Sequence, residues 1–303
     1  MKVDRNREMR TIQLTQTAAI DRILDEAKLT DCSPCQTPME HGLQLEGATE
    51  PSQVVDQQAY AHLNGRLLHL AMNTRPDIAF VVSRLAQYTT KPNSECWAAL
   101  KRLIRYLKGT RTKGIIYGAQ PNPATTDDDD TCHIKGYTDS DWAGDTSTCR
   151  STSGYLFLGA GAPIAWGSNK QPIVTLSTCE AEYIAATDAT REATWLRYLL
   201  AELDPPGAPA TSLPQHEPNY IPPIPMAMDN QGAIALATLG SQNRRTKHIN
   251  VRYHYIRECV ESGIIMPHYT PTSDMLADGL TKALDRQKFS TFVSSIGVRN
   301  SVA

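Results

Sequence analysis

The order of apolar patterns in the second half of the chain constrains its fold more than any other feature. Three strand-like segments come first, a long helical segment follows, and then two more strands alternate with helices. The strands are at 134–140, 154–158, 163–166, 226–229 and 264–269, the long helix is at 178–203, and the last helix begins near 273. Short turns let the first three strands run antiparallel, whereas the later strands need helical crossovers. This order predicts an α/β fold with a mixed five-stranded sheet and flanking helices, and Pro267 places the last strand at an edge.

The first half predicts a mostly helical unit. The patterns indicate a hairpin at 1–14, helices at 15–28, 60–72, 78–85 and 94–109, and a strand at 114–117, with a polar loop over 30–55. Four cations lie on the outer face of the 94–109 helix: Lys101, Arg102, Arg105 and Lys108. Two interpretations stay open for them, a solvated face or contacts to nucleic-acid phosphates.

The length of 303 residues favours two domains. Residues 1–118 form the first, 119–132 are an acidic linker by composition, and 133–290 form the second, followed by a tail at 291–303. A proline-rich insertion at 204–225 interrupts the second domain. The acidic run of the linker, Asp127–Asp130, is interpreted as solvated, because four consecutive carboxylates on a flexible loop cannot converge as a rigid metal cage.

Composition excludes several classes of protein. Lys and Arg total 30 against 32 Asp and Glu, a net charge of −2, so bulk positive charge cannot hold this chain to nucleic acid. No run approaches 18 apolar residues, so no membrane contact is expected. The polar start lacks a secretion signal, and seven cysteines in a chain of this size suggest free thiols. We therefore expect an intracellular protein, cytoplasmic or nuclear. Cys32 and Cys35 are interpreted as loop thiols, since no second pair accompanies them.

Four carboxylates lie at the ends of predicted elements, where a sheet of this kind places a site. Asp139 ends the first strand, Glu182 lies in the first turn of the long helix, Asp229 ends the fourth strand, and Asp278 lies in the first turns of the last helix. Converging carboxylates repel one another unless a cation neutralises them, and oxygen ligands without thiolates favour Mg²⁺, with Mn²⁺ as an alternative. Each residue alone could equally be a helix cap or a surface charge, and the spacing does not show that the four converge.

Six ordered motifs carry a family resemblance. They are Gly136–Asp145, Arg150–Tyr155 with Pro163–Trp166, Leu176–Tyr183, Asp229–Ala233, Arg245–Ile249 and Ala277–Lys282. Residues 133–290 resemble the ribonuclease H domain of the Pol polyprotein of copia-type LTR retrotransposons. The resemblance implies a ribonuclease H-like fold and a metal-dependent endonuclease that hydrolyses RNA in RNA–DNA hybrids with two Mg²⁺ ions.

The implied metal ligands and catalytic residues are Asp139, Glu182, Asp229 and Asp278. Glu180 competes with Glu182, but residues two apart on a helix point to nearly opposite sides, and the Glu-Tyr-Ile-Ala phrase favours Glu182. Asp141 competes with Asp139, which fits the alternation of the strand.

Two further assignments follow from the resemblance. His268 precedes Asp278 by ten residues, as a mobile histidine does in cellular relatives, but the pattern places it in a strand, where packing is the ordinary role. The densest cationic stretch supplies five candidate contacts to hybrid phosphates, with a solvated helix face as the alternative. These residues are Arg244, Arg245, Lys247, His248 and Arg252.

The first half resembles the C-terminal, thumb-like end of the same family's reverse transcriptase. The motifs are Leu63–Leu68, Thr74–Phe80 and Ala99–Gly109. The polymerase motif Tyr-x-Asp-Asp is absent from this sequence, so we do not expect DNA synthesis by this chain alone. An intact reverse transcriptase chain is a possible partner. The alternative to the nuclease is an inactive remnant that binds nucleic acid, in which the insertion at 204–225 displaces Asp229.

Overall fold

A computed structural model describes residues 1–46, 55–118, 134–203, 222–239 and 250–300. The first half contains β1 (Lys2–Asn6), β2 (Thr11–Thr15), α1 (Thr17–Glu26), α2 (Gln57–Asn73), α3 (Ala79–Ala86), α4 (Ser94–Gly109) and β3 (Lys113–Tyr117). The second half contains β4 (Ile134–Asp145), β5 (Arg150–Gly159), β6 (Ala162–Lys170), α5 (Thr178–Leu203), β7 (Ile224–Met228), α6 (Gln231–Leu239), α7 (Asn250–Glu261), β8 (Ile265–Tyr269), α8 (Arg286–Ser295) and β9 (Val298–Asn300). Within these residues, no helix has both the length and the apolar character needed to cross a membrane.

The predicted five-stranded mixed sheet is confirmed, with strand order β6-β5-β4-β7-β8. The first three strands pair antiparallel, and β7 joins β4 in parallel, as does β8 to β7. The strand that contains Pro267 is an edge strand, as predicted. Numbered by their order along the chain, the five strands are arranged 3-2-1-4-5.

Side chains of the sheet alternate between two cores because successive residues of a strand point to opposite faces. Phe157, Met226 and Met228 pack on one face against α5, α6 and α7. Tyr137, Leu156 and Leu158 belong to the other core, which also contains the apolar faces of α2, α3 and α4. The helical first half therefore covers one face of the sheet, and the two halves share a core.

Hydrogen bonds and an ion pair also join the two halves. The indole N–H of Trp166 donates to the carbonyl of Ala71 at 2.8 Å. Arg84 of α3 pairs with Asp145 at the end of β4 at 3.3 Å, and Lys170 of β6 contacts the same carboxylate. Burial acts to raise the pKa of Asp145, but hydrogen bonds from Lys170, Ser147 and Arg84, among others, hold it well below its usual range.

The outer cations of α4 mostly hold the preceding loop. Arg102 pairs with Glu40 at 2.8 Å, Arg105 donates to the carbonyl of Ser33 at 2.8 Å, and Lys108 donates to that of Cys32 at 2.7 Å. These three contacts hold the preceding polar loop against α4. As far as residue 46, this loop contains no helix or strand. Contact with this loop describes Arg102, Arg105 and Lys108 better than either a fully solvated face or a free phosphate-binding stripe.

Several predicted boundaries change. The predicted tail from residue 291 is folded as far as Asn300, where β9 pairs with β3 and completes a four-stranded sheet of order β1-β2-β3-β9. The acidic linker at 119–132 and most of the insertion at 204–225 lie outside the described residues, although Ile224 already begins β7. The boundary between two domains stays a prediction.

Candidate active site

Asp139 lies in the middle of β4, not at the end of a strand as predicted. β7 ends at Met228. The parallel register pairs Tyr137 with Ala227, so Asp139 and Asp229, each two residues further on, lie side by side. β4 continues to Asp145 because β5 remains paired with it. Asp139 therefore marks the point at which one neighbouring strand leaves the sheet.

Glu182 comes from α5, one turn after the helix begins at Thr178. Its Oε1 accepts a hydrogen bond of 3.2 Å from the backbone N–H of Ser140, the residue that follows Asp139. Oε2 of Glu180 instead accepts a hydrogen bond of 2.7 Å from the backbone N–H of Leu176, two residues before α5 begins. The choice of Glu182 over Glu180 agrees with this geometry.

Three of the four predicted carboxylates meet. One oxygen from each of Asp139, Glu182 and Asp229 lies within 4.8 Å of the other two. Among the described residues, this is the group of acidic, histidine or cysteine side chains that could hold a metal ion. The side chains of Asp139 and Glu182 are buried, at 3% and 5% exposure, and Asp229 is partly exposed, so the cluster opens toward solvent on one side.

Asp278 lies beside this cluster and not inside it. It is part of a 3₁₀ helix, Leu276–Leu280. The last α-helix begins only at Arg286, with Asp285 as its N-cap. The placement predicted in the first turns of the last α-helix is therefore wrong. Oδ1 of Asp278 forms an ion pair of 2.9 Å with the ammonium of Lys282, four residues later.

The electrostatics of the cluster reflect crowded negative charge. Burial raises the pKa of Asp139, the charge of Asp278 raises it further, and Lys282 and Thr281 act against them, with a resulting pKa of about 7. Burial, followed by the charges of Asp139 and Asp229, raises the pKa of Glu182 to about 10. Ionisation of Asp139 and Glu182 is therefore costly in the metal-free protein, and a bound divalent cation would lower that cost.

The residues fit a divalent cation. Oε2 of Glu182 is buried and has no hydrogen-bond partner, although buried carboxylate oxygens are normally paired. The donor set consists of carboxylate oxygens alone, which suits hard ions such as Mg²⁺ and Mn²⁺. Asp139, Glu182 and Asp229 could hold such an ion, and Asp278 lies close enough to influence it.

The segment after Ala277 orients Asp139. The hydroxyl of Thr281 donates to Oδ2 of Asp139, and Thr281 is fully buried. Gly154 pairs with Asp139 across the sheet, and a Cβ at Gly154 would lie only 2.7 Å from the methyl group of Thr281. The absence of a side chain at Gly154 therefore lets Thr281 reach the carboxylate.

The other predicted site residues are not part of the cluster. His268 lies in β8 and pairs with Ala227, as the strand pattern indicates. The cationic stretch at 244–248 lies outside the described residues, as does the side chain of Arg252. Their predicted contacts with hybrid phosphates stay predictions.

Curated relatives cover almost the whole chain. The retrovirus-related Pol polyprotein from transposon TNT 1-94 of Nicotiana tabacum is 35% identical over 306 residues, which is 99% of this chain and 21% of that protein. The Pol polyprotein from transposon RE1 of Arabidopsis thaliana is 36% identical over 287 residues, which is 95% of this chain and 18% of that protein. Over nearly its whole length, the chain is homologous to copia-type Pol polyproteins from transposons.

This Pol segment spans about a fifth of the length of those two polyproteins. It is also 42% identical over 137 residues to the secreted RxLR effector protein 161 of Plasmopara viticola, a match that covers 45% of this chain and 90% of that protein. No family model matches the chain.

A solved structure of LC11-RNase H1 in complex with an RNA/DNA hybrid is similar at 16% identity and a TM-score of 0.34. The match covers 49% of this chain and 93% of that one.

Two residues beside the cluster, Lys282 and Thr281, were not assigned a role from the sequence. Lys282 was detectable, because a cation four residues after Asp278 can pair with it along a helical segment. Thr281 carries no local signal, because Asp139, to which it donates, lies 142 positions earlier in the chain.

Proposed function

We propose that this Pol segment is a divalent-metal-dependent endoribonuclease that hydrolyses the RNA strand of RNA–DNA hybrids. The observation that supports this most is the convergence of carboxylate oxygens from β4, α5 and the end of β7 within 4.8 Å. Homology to Pol polyproteins supports activity of the ribonuclease H type, and the resemblance of residues 133–290 to that domain supplies the substrate class.

Asp139, Glu182 and Asp229 would hold Mg²⁺, with Mn²⁺ as a substitute. Two bound ions would supply a nucleophilic water and stabilise the charge that develops on the phosphate and the leaving oxygen. Asp278 is the fourth candidate ligand, and it would be available to a second ion once its contact with Lys282 is given up.

The protein's own groups set the geometry of the site. The backbone N–H of Ser140 and the hydroxyl of Thr281 fix the orientation of Glu182 and Asp139. Thr272 donates a hydrogen bond of 2.9 Å to Oδ2 of Asp229. Lys282 supplies positive charge to Asp139 and Asp278 while no metal is bound, since its pKa is raised by these carboxylates although burial acts to lower it.

A cleavage assay tests the proposal. A labelled RNA strand annealed to DNA is incubated with the chain and Mg²⁺, and duplex RNA and duplex DNA serve as comparison substrates. We expect cleavage of RNA in the hybrid alone, and a loss of more than about 100-fold in Asp139→Asn and Asp229→Asn, because each removes a metal-ligand charge. Glu180→Gln is the matched control on the same helix and should cleave as the parent does.

Equal cleavage by the parent and by Asp139→Asn would overturn the assignment. Binding of the hybrid that weakens with salt, without cleavage in Mg²⁺ or Mn²⁺, would favour the inactive remnant instead. The displacement of Asp229 that motivates the remnant does not occur in this structure, where Asp229 lies within the carboxylate cluster. A role beside an intact reverse transcriptase chain is a further proposal, and co-purification would test it.

A further inference from the structure

Gln171 is a buried polar residue to which the proposed mechanism gives no role. It directly follows β6, and 2% of it is exposed. Its backbone N–H donates to the carbonyl of Ser151 at 2.8 Å, so the residue continues the pairing of β6 with β5. This places its side chain under the beginning of α5, where the connection from β6 enters the helix.

The amide group of Gln171 joins three segments. Nε2 donates to Oγ of Ser153 and to the carbonyl of Ala181, both at 2.9 Å, and lies 3.5 Å from Oγ of Ser140. A backbone carbonyl can only accept a hydrogen bond. The contact with Ala181 therefore requires the nitrogen of the amide, and not its oxygen, to point toward α5.

Two partners of Gln171 adjoin members of the carboxylate cluster, and the third adjoins the cross-strand partner of Asp139. Ser140 follows Asp139, and Ala181 precedes Glu182. Ser153 precedes the glycine that pairs with Asp139 across the sheet. One side chain thus connects the immediate neighbours of two carboxylates that come from different elements.

We propose that Gln171 is a positioning residue that sets the separation of the Asp139 and Glu182 carboxylates for binding of a divalent cation. The proposal rests on the cation site of the proposed function but not on the choice of substrate. Groups that orient metal ligands from behind typically change metal affinity or activity by about 10- to 100-fold when removed. A residue that serves only stability lowers the melting temperature and leaves the affinity of the folded protein for cations unchanged.

Calorimetric titration of the full chain with Mn²⁺ tests this role. Gln171→Met keeps the volume and removes the donors, and we expect the affinity for Mn²⁺ to fall about tenfold or more. Thr175→Val is the matched control. Thr175 is buried in the same connection, where its hydroxyl lies 3.3 Å from that of Ser151, but its side chain is not bonded to a neighbour of the carboxylates. This control should bind Mn²⁺ as the parent does.

If Gln171→Met does not fold, Gln171→Asn replaces it, because the shorter amide cannot reach Ser153 and Ala181 together. A parent that binds Mn²⁺ but cleaves no hybrid would refute the proposed activity, while the ratio of affinities still decides the role of Gln171. Unchanged affinity in a folded Gln171 variant of a parent that cleaves hybrid would refute the positioning role alone. A parent that binds no Mn²⁺ overturns both the cation site and this role.

Discussion

Glu182→Gln should make the metal-free protein more stable at alkaline pH while it removes a metal ligand. Glu182 is buried among negative charges, and one of its oxygens has no partner. Burial and the charges of Asp139 and Asp229 raise its pKa from an ordinary value of 4.5 to about 10. Folding at pH 8 must therefore bind a proton that the unfolded chain has released, and glutamine removes this requirement.

The size of the effect follows from that pKa. Between 4.5 and pH 8 the interval is about 3.5, which corresponds to about 5 kcal/mol of lost stability at about 1.4 kcal/mol for each pKa unit. A buried amide carries a desolvation cost of about 1–3 kcal/mol, so the net gain should be about 2–4 kcal/mol. For a chain of 303 residues the melting temperature should rise by about 3–6 °C.

The sign reverses with pH because a raised carboxyl pKa makes stability fall as pH rises from the unfolded pKa to the folded pKa. At pH 5 the same reasoning leaves less than about 1 kcal/mol, which the desolvation of the amide, about 1–3 kcal/mol, outweighs. Glu182→Gln should therefore be slightly less stable than the parent at pH 5. Thermal unfolding in EDTA at pH 5 and pH 8 measures this difference. Glu180→Gln, with its partly exposed carboxylate, serves as the control and should show no gain. Equal loss of stability in Glu182→Gln at both pH values would refute the argument.

Three further predictions concern stability. Asp145→Asn removes the partner of Arg84 and should lower the free energy of unfolding in urea by about 2–4 kcal/mol near pH 7; because the pKa of Asp145 is held below its usual range, the contribution should disappear as pH falls through acidic values. Mg²⁺ at about 100 times its dissociation constant should stabilise the parent by about 2.7 kcal/mol in thermal unfolding, and should not stabilise Asp229→Asn. Tyr106→Phe removes a 2.6 Å hydrogen bond to buried Asp77 and should lower the urea midpoint by the equivalent of about 1–3 kcal/mol.

Local patterns account for the strands and for the long helix. The strand-like segments at 134–140 and 154–158, with short turns between the first strands, leave few other arrangements for the sheet. The phrase around Glu182 and the end of the strand at Asp229 identify two of the clustered carboxylates. These features depend on residues close together along the chain, which is why they are predictable.

Long-range contacts account for what the sequence did not indicate. Asp278 lies in a 3₁₀ helix whose Gly279 packs so closely against Phe292 that a Cβ there would lie only 2.6 Å from the ring. Thr281 reaches Asp139 across 142 positions of the chain, and no periodicity predicts such a bond. The sequence pattern also does not predict the core that the two halves share. An apolar face indicates that it will be buried, but not which element covers it.

Strand β9 has a consequence for any attempt to isolate the second half of the chain. Val298 pairs with Ile115, so the last described residues close a sheet whose other strands come from the first 117 residues. A chain shortened to residue 290 would leave the β3 backbone open for pairing with another molecule, and a chain starting at 133 would uncover an apolar sheet face. A protease that cuts between residues 118 and 134 should therefore yield two pieces that migrate together until denaturant separates them.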